Sequence, residues 1–187
     1  MDFWIQAIGI VAMVLNVGAY QFKSKRNILL CMFAGSALFA VNMFMLGAIM
    51  GGIMNVLGVV RSIAYMKKDS LPFPVKVLNA MFIGAYIVSY VLSFTLIGTE
   101  PTARNLILEL LPVIGMSVMT LAFSGNNSRI IRRAGLINSP SWLVYNIFNM
   151  AIGGILCEMF GIASIISSII RFDILGKKED VKQPNAQ

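Results

Sequence analysis

Histidine is absent from this 187-residue chain, and cysteine occurs only twice. Without histidine the chain lacks the commonest general base and the commonest transition-metal ligand. Cys31 and Cys157 both fall inside apolar runs without metal-ligand spacing, so no metal site and no disulfide framework is expected, and packing is their reading. Charge is scarce as well: 12% of residues are charged against 58% hydrophobic, with a mean hydropathy of +0.80. A soluble domain carries about twice that share of charge. No nucleophile paired with a base, metal cluster or phosphate-cradling loop stands in the sequence, so it reads as a non-enzyme that needs no cofactor.

What remains is a chain of long apolar runs with short basic clusters between them. The net charge of +7 is not gathered into an amphipathic stripe or a nucleic-acid motif, so nucleic acid is excluded as a partner and the basic clusters read as topology signals. The bilayer is the implied partner. The opening MDFWIQAIG lacks the basic region of a cleavable signal peptide and leads straight into an apolar run, so the first helix is expected to be retained. Trp4 sits where an aromatic belt residue would meet headgroups.

The stretch from Arg133 to Phe172 organises the rest. Between Arg133 and Arg171 its only charged residue is Glu158, and its length is nearly twice the roughly 20 residues of one crossing, so it must cross twice. The paired Gly153-Gly154 is the expected turn. The run from Asn27 to Met66 is another hairpin, turning near Gly47 to Gly52. Helix one is expected over Phe3 to Phe22, helix four over about 77–97, and helix five over about 105–123. KKDSLPFPVK, GTEPTAR and SGNNSRIIRR are the breaks. Ser141 to Ile152 is too short to span roughly 30 Å at 1.5 Å per residue, so helix six must start near Ile130 or Ile131, with Pro140 inside it. Helix seven covers about 154–172, and 173–187 is expected as a polar, disordered cytoplasmic tail.

The expected fold class is therefore all-α: a polytopic membrane protein of seven transmembrane helices, forming one domain over 1–172. Lys23, Lys25, Arg26, Lys67, Lys68, Lys76, Arg129, Arg132, Arg133, Arg171, Lys177, Lys178 and Lys182 fall on one side, and Arg104 on the other. The positive-inside rule then puts the N-terminus outside and the C-terminus in the cytoplasm. A shift of 103 positions lays Gln6–Tyr65 on Glu109–Ser168 without a gap, pairing Met13 with Met116, Arg26 with Arg129, Gly51 with Gly154 and Gly58 with Gly161. Two parallel three-helix repeats, about 3–66 and 105–172, would be joined by a linker helix at about 77–97.

The same register pairs Gln6 with Glu109 and Asn55 with Glu158. On helical spacing Asn55, Gly58, Arg61, Ser62 and Tyr65 share one face of helix three, as Glu158, Gly161, Ser164, Ser168 and Arg171 do on helix seven, and both faces are expected to turn inward. With Asn42 on helix two and Trp142, Tyr145, Asn146 and Asn149 on helix six they would wall a polar, aromatic vestibule. These residues and Glu109 are the candidate solute pathway. Each carries a structural alternative. Glu109 and Glu158 either face a solute or make structural pairs. Arg61 either binds an anionic group or is counter-ion to Glu158 or Glu109. Arg171 is expected to snorkel at the interface. Pro112 and Pro140 are gating hinges or static kinks. Trp142 and Tyr145 stack on a flat ligand or pack the core. The faces carrying Gly58, Gly161 and Ser164 would serve helix packing, and a homodimer as readily as a monomer.

The motif Glu109-Leu110-Leu111-Pro112-Val113-Ile114-Gly115, then Trp142 with Tyr145-Asn146, then Ile152-Gly153-Gly154 followed by Glu158, and finally Ile169-Ile170-Arg171-Phe172, resemble the YgjV family of bacterial inner-membrane proteins. The resemblance covers nearly the whole chain and is closest from Glu109 to Phe172. The family reads GSIGG where this chain has Ala151 in place of the serine. Location and topology are what the resemblance implies, not an activity. The 3+1+3 plan is also similar to that of SWEET and PQ-loop transporters, a likeness of fold plan alone. The expected function is a small-solute transporter or facilitator with a small polar solute as partner. The alternative is a non-transporting membrane protein, either a lipid-interacting factor or an assembly partner.

Overall fold

The computed structural model describes residues 3–45, 49–148 and 152–175. Among them are seven α-helices and no strand: α1 (Phe3–Ala19), α2 (Lys25–Met45), α3 (Ile49–Met66), α4 (Val75–Thr95), α5 (Ala103–Ser124), α6 (Ser128–Phe148) and α7 (Ile152–Ser168). A 3-10 turn, Lys68–Ser70, follows α3, and α7 runs on as a π-helical stretch over Ile169–Leu175. Five helices are long and apolar enough to cross a membrane: α2, α3, α4, α5 and α7 with its π extension. Helix α1 is apolar but shorter. Helix α6 has 21 residues, about 31 Å at 1.5 Å per residue, yet Arg129, Arg132 and Arg133 crowd its first turns.

Helices α1, α2 and α3 pack in succession, and α5, α6 and α7 do the same. Helix α7 lies against α1 and α3 touches α5, so the six form a ring, with α4 packed on α5 and α3. The outward surface is apolar: Trp4, Val14, Ile87, Val91, Ile107, Leu121, Phe160 and Ile170 are all exposed. Water would not tolerate so continuous an apolar surface, whereas lipid tails match it. Pro112 and Pro140 both sit inside unbroken helices, as expected for Pro140. Pro112 is buried and Pro140 half-buried.

The basic end of the ring is fastened by side chains that meet backbone carbonyls. The last carbonyls of a helix have no partner within it, and they form the negative end of its dipole. At the end of α5 the Lys25 ammonium donates to the carbonyls of Phe123 and Gly125, both at 2.6 Å, and Lys68 donates to that of Ser124 at 2.7 Å. Tyr65 donates its hydroxyl to Asn79 Oδ1, to which Ser124 also donates at 2.9 Å. The Tyr65 ring packs 6.0 Å from Phe82 and 5.9 Å from Phe123, tying α3, α4 and α5 together.

Three expectations are corrected here. Gly153-Gly154 is not a turn: both lie in the first turn of α7. Helix α2 ends at Met45 and α3 begins at Ile49, so the first hairpin reverses at the early edge of the expected Gly47 to Gly52, and Gly51 and Gly52 themselves lie in the first turn of α3. Gly154 serves close approach, since a Cβ there would stand 2.6 Å from the Asn146 amide, and Gly51 likewise faces Met43. The polar tail does not begin at Asp173. Its carboxylate is buried, accepts from Arg132 Nη2 and Nε, and lies 3.7 Å from Arg129. Arg171, placed on the inward face by helical spacing, is exposed, in keeping with the snorkelling expected of it, with its guanidinium 5.1 Å from the centre of the Phe172 ring. It lies in the π-helical stretch, where the helix winds more loosely and residues leave the face projected at 3.6 per turn.

Candidate functional site

At the centre of the ring lies a cavity of about 100 Å³ to which α1, α2, α3, α5, α6 and α7 all contribute. Its polar wall comprises Asn16, Tyr20, Ser36, Asn55, Arg61, Asn138, Ser139, Asn146 and Glu158. Phe39, Met43, Met54, Met116, Met119 and Trp142 supply most of the apolar wall. Small residues give the chamber its width: Gly58 and Gly161 line it from α3 and α7, where larger side chains would fill it.

Of the candidates read from the sequence, Asn55, Arg61, Trp142, Asn146 and Glu158 are brought together here. Asn55 and Glu158 face the same space from α3 and α7. Asn55 also donates to the carbonyl of Gly51 at 2.8 Å. The Glu158 carboxyl meets the Ser139 hydroxyl, which also reaches the Tyr20 hydroxyl. Arg61 is 5% exposed and makes no ion pair with either glutamate. The counter-ion role is therefore not realised. Its Nη1 donates to the Met116 carbonyl at 3.2 Å and approaches Met116 Sδ at 3.4 Å, and the guanidinium lies 5.0 Å from the centre of the Phe123 ring. Arg61 Nε is buried with no hydrogen-bond partner, and so is Asn138 Oδ1.

Three other candidates stand elsewhere. Asn42 is buried between α1 and α2, where its amide donates to the carbonyl of Ile5 at 2.7 Å, so its hydrogen-bonding capacity serves helix packing. Glu109 and Tyr145 meet each other between α5 and α6, off the cavity wall, and the Tyr145 ring stands edge-on to Trp142 at 5.7 Å. Asn149 lies outside the described residues. Conversely, Asn16, Tyr20, Ser36, Asn138 and Ser139 are cavity residues that sequence reading missed. Asn138 and Ser139 belong to the polar run Asn138-Ser139-Pro140-Ser141 and could have been found by placing it mid-helix and asking where its polar side chains go; Asn16, Tyr20 and Ser36 stand singly among apolar residues and carry no such signal.

A ring of apolar helices around a polar chamber defines a polytopic α-helical membrane protein. The family model Imp-YgjV, described as bacterial inner membrane protein, matches residues 3–175. The chain belongs to that family, and its membrane is thereby the bacterial inner membrane. No curated protein and no solved structure matches it.

Proposed function

We propose that this protein is a carrier or facilitator for a small polar solute, a transporter rather than an enzyme, with the central cavity as its solute site. In this reading the chain crosses seven times as two parallel three-helix repeats joined by α4, with the N-terminus outside and the basic end in the cytoplasm. One observation carries it. At the 103-position shift found in the sequence, Asn16 corresponds to Met119, Ser36 to Ser139, Phe39 to Trp142, Met43 to Asn146, Met54 to Cys157, Asn55 to Glu158 and Gly58 to Gly161, and both members of every pair line the cavity. Carriers built from repeats hold solute at the repeat interface near the bilayer midplane, where two similar halves can rock about one site. A cavity walled by matched positions of both halves supports that arrangement.

The test is counterflow in proteoliposomes loaded in turn with amino acids, sugars, carboxylates and nucleosides. Wild-type protein should exchange at least one class above empty liposomes. Gly58→Leu, which fills the chamber from α3, should abolish that exchange at an unchanged yield of folded protein. Absence of exchange for every class would sink the carrier reading and favour a lipid-interacting or assembly role.

A further inference from the structure

Within the carrier reading, one unpaired cation and one acid on the cavity wall narrow the solute. A guanidinium has five N–H donors and no acceptor, and a charged side chain inside a membrane is costly unless something compensates it. Arg61 gives one donor to Met116, while its Nε has no partner and no acid among the described residues lies within ion-pair distance. Arg132, by contrast, has Asp173. Asn138 Oδ1, also buried without a donor, is turned to Gly115 of α5. Arg61 lines the cavity, so a ligand that compensates it offers an anionic acceptor there.

Glu158 decides what the ligand offers elsewhere. It is the one acid on the cavity wall among the described residues, so the other end of the ligand meets a carboxyl group. An ammonium group answers it. A zwitterion also compensates Arg61 and Glu158 without bringing net charge into a region where uncompensated charge is expensive. Size favours a small solute: about 100 Å³, at about 10–15 Å³ per water, holds several waters.

We infer that the cavity binds a small amino-acid zwitterion, its carboxylate on Arg61 and its ammonium on Glu158, with a short side chain against Met54 and Phe39. The inference rests on the carrier reading and adds the substrate class. The experiment is counterflow of labelled L-alanine, competed by L-serine, L-lactate, L-alaninamide and L-phenylalanine. Serine should compete about as well as alanine. Lactate lacks the ammonium, alaninamide lacks the carboxylate and phenylalanine is too large, so each should compete at least tenfold more weakly. Arg61→Gln should erase the preference for alanine over alaninamide, and Glu158→Gln the preference for alanine over lactate, each with the unliganded melting temperature near wild type. Equal competition by lactate or alaninamide in the wild type, or either preference surviving its variant, overturns the inference. If a sugar or nucleoside exchanges while alanine does not, the zwitterion is wrong and the carrier stands. If no solute exchanges, both fall.

Discussion

Two arginines are buried in this bundle, and they are solvated by the protein in opposite ways. Arg132 at the basic end is held by Asp173 through two of its nitrogens, stands near the Phe22 carbonyl at 3.5 Å and lies 5.4 Å from the centre of the Phe172 ring. Arg61 at the centre has a backbone carbonyl, a thioether, an aromatic ring and an unpartnered Nε. The first environment is complete in itself, with every element supplied by the chain. The second leaves a charge to be completed by something else. A buried charge whose partner is built in serves architecture; one whose partner is missing is where a ligand gains most from binding.

The contrast is broken most severely by removing the built-in partner. Asp173→Asn would leave Arg132 buried without its anion, a change that typically costs about 3–5 kcal/mol. Its fall in detergent melting temperature should exceed those of Gly115→Val, Lys25→Met and Arg61→Met. Replacing both members, Arg132→Met with Asp173→Leu, should recover most of that loss, since a well-packed apolar pair is often as stable as a buried ion pair. A double variant as unstable as Asp173→Asn would show that Arg132 is held by more than its acid.

Next in size is a packing test beside the cavity. Gly115 ends the ELLPVIG motif on α5, and a Cβ there would lie 3.2 Å from Asn138 Cα and 3.3 Å from its carbonyl oxygen. Backbone cannot swing aside as a side chain can, so Gly115→Val should force α5 and α6 apart at a cost of about 1–3 kcal/mol. Asn138 also lines the cavity, and the same variant should therefore lower alanine exchange beyond what its melting loss explains. Gly153→Ala is the matched control: nothing lies within 4 Å of its Cβ position, and a helical Gly→Ala change there should be neutral or stabilising, by up to about 1 kcal/mol. A destabilised Gly153→Ala would reopen the question of a turn at that pair.

The glycines also mark the limit of what sequence shows. Apolar run lengths located the helices, and helical spacing put Gly58, Arg61, Ser62 and Tyr65 on one buried face of α3. Register matching brought Asn55 and Glu158 into one candidate group. Spacing along a helix, however, carries no information about lateral distance between helices. Gly153-Gly154 therefore looked like a flexible turn when Gly154 provides close contact, and Arg61 was compatible with a glutamate counter-ion or with an anionic ligand. Asp173 was hidden for a different reason. It opens a polar tail, and nothing local indicates that the helix carries it back to Arg132, forty-one positions away.

A smaller effect is expected at the lysines of the basic end. Lys25→Met removes two hydrogen bonds to the terminal carbonyls of α5 but keeps an apolar stem of similar length, and Lys68 still donates to Ser124. The loss should be about 1 kcal/mol, read as a modest drop in melting temperature, and Lys25→Met with Lys68→Met should exceed the sum of the singles because both side chains serve the same helix end. Strict additivity would mean that the two lysines act independently.

The smallest expected change in stability belongs to the residue proposed to matter most for solute. Arg61→Met keeps the length of the side chain and its contact with Phe123 while removing a cation that the unliganded protein does not pair. It gives up one hydrogen bond of 3.2 Å to Met116, worth about 1 kcal/mol, and relieves the desolvation of an uncompensated charge, which is at least as large. The two nearly cancel, so the melting temperature without ligand should be unchanged or slightly raised, while any stabilisation by millimolar L-alanine, which grows with ligand concentration over its dissociation constant, should vanish. The opposite pattern, a large melting loss with the alanine response intact, would make Arg61 a structural charge like Arg132 and remove the contrast between them.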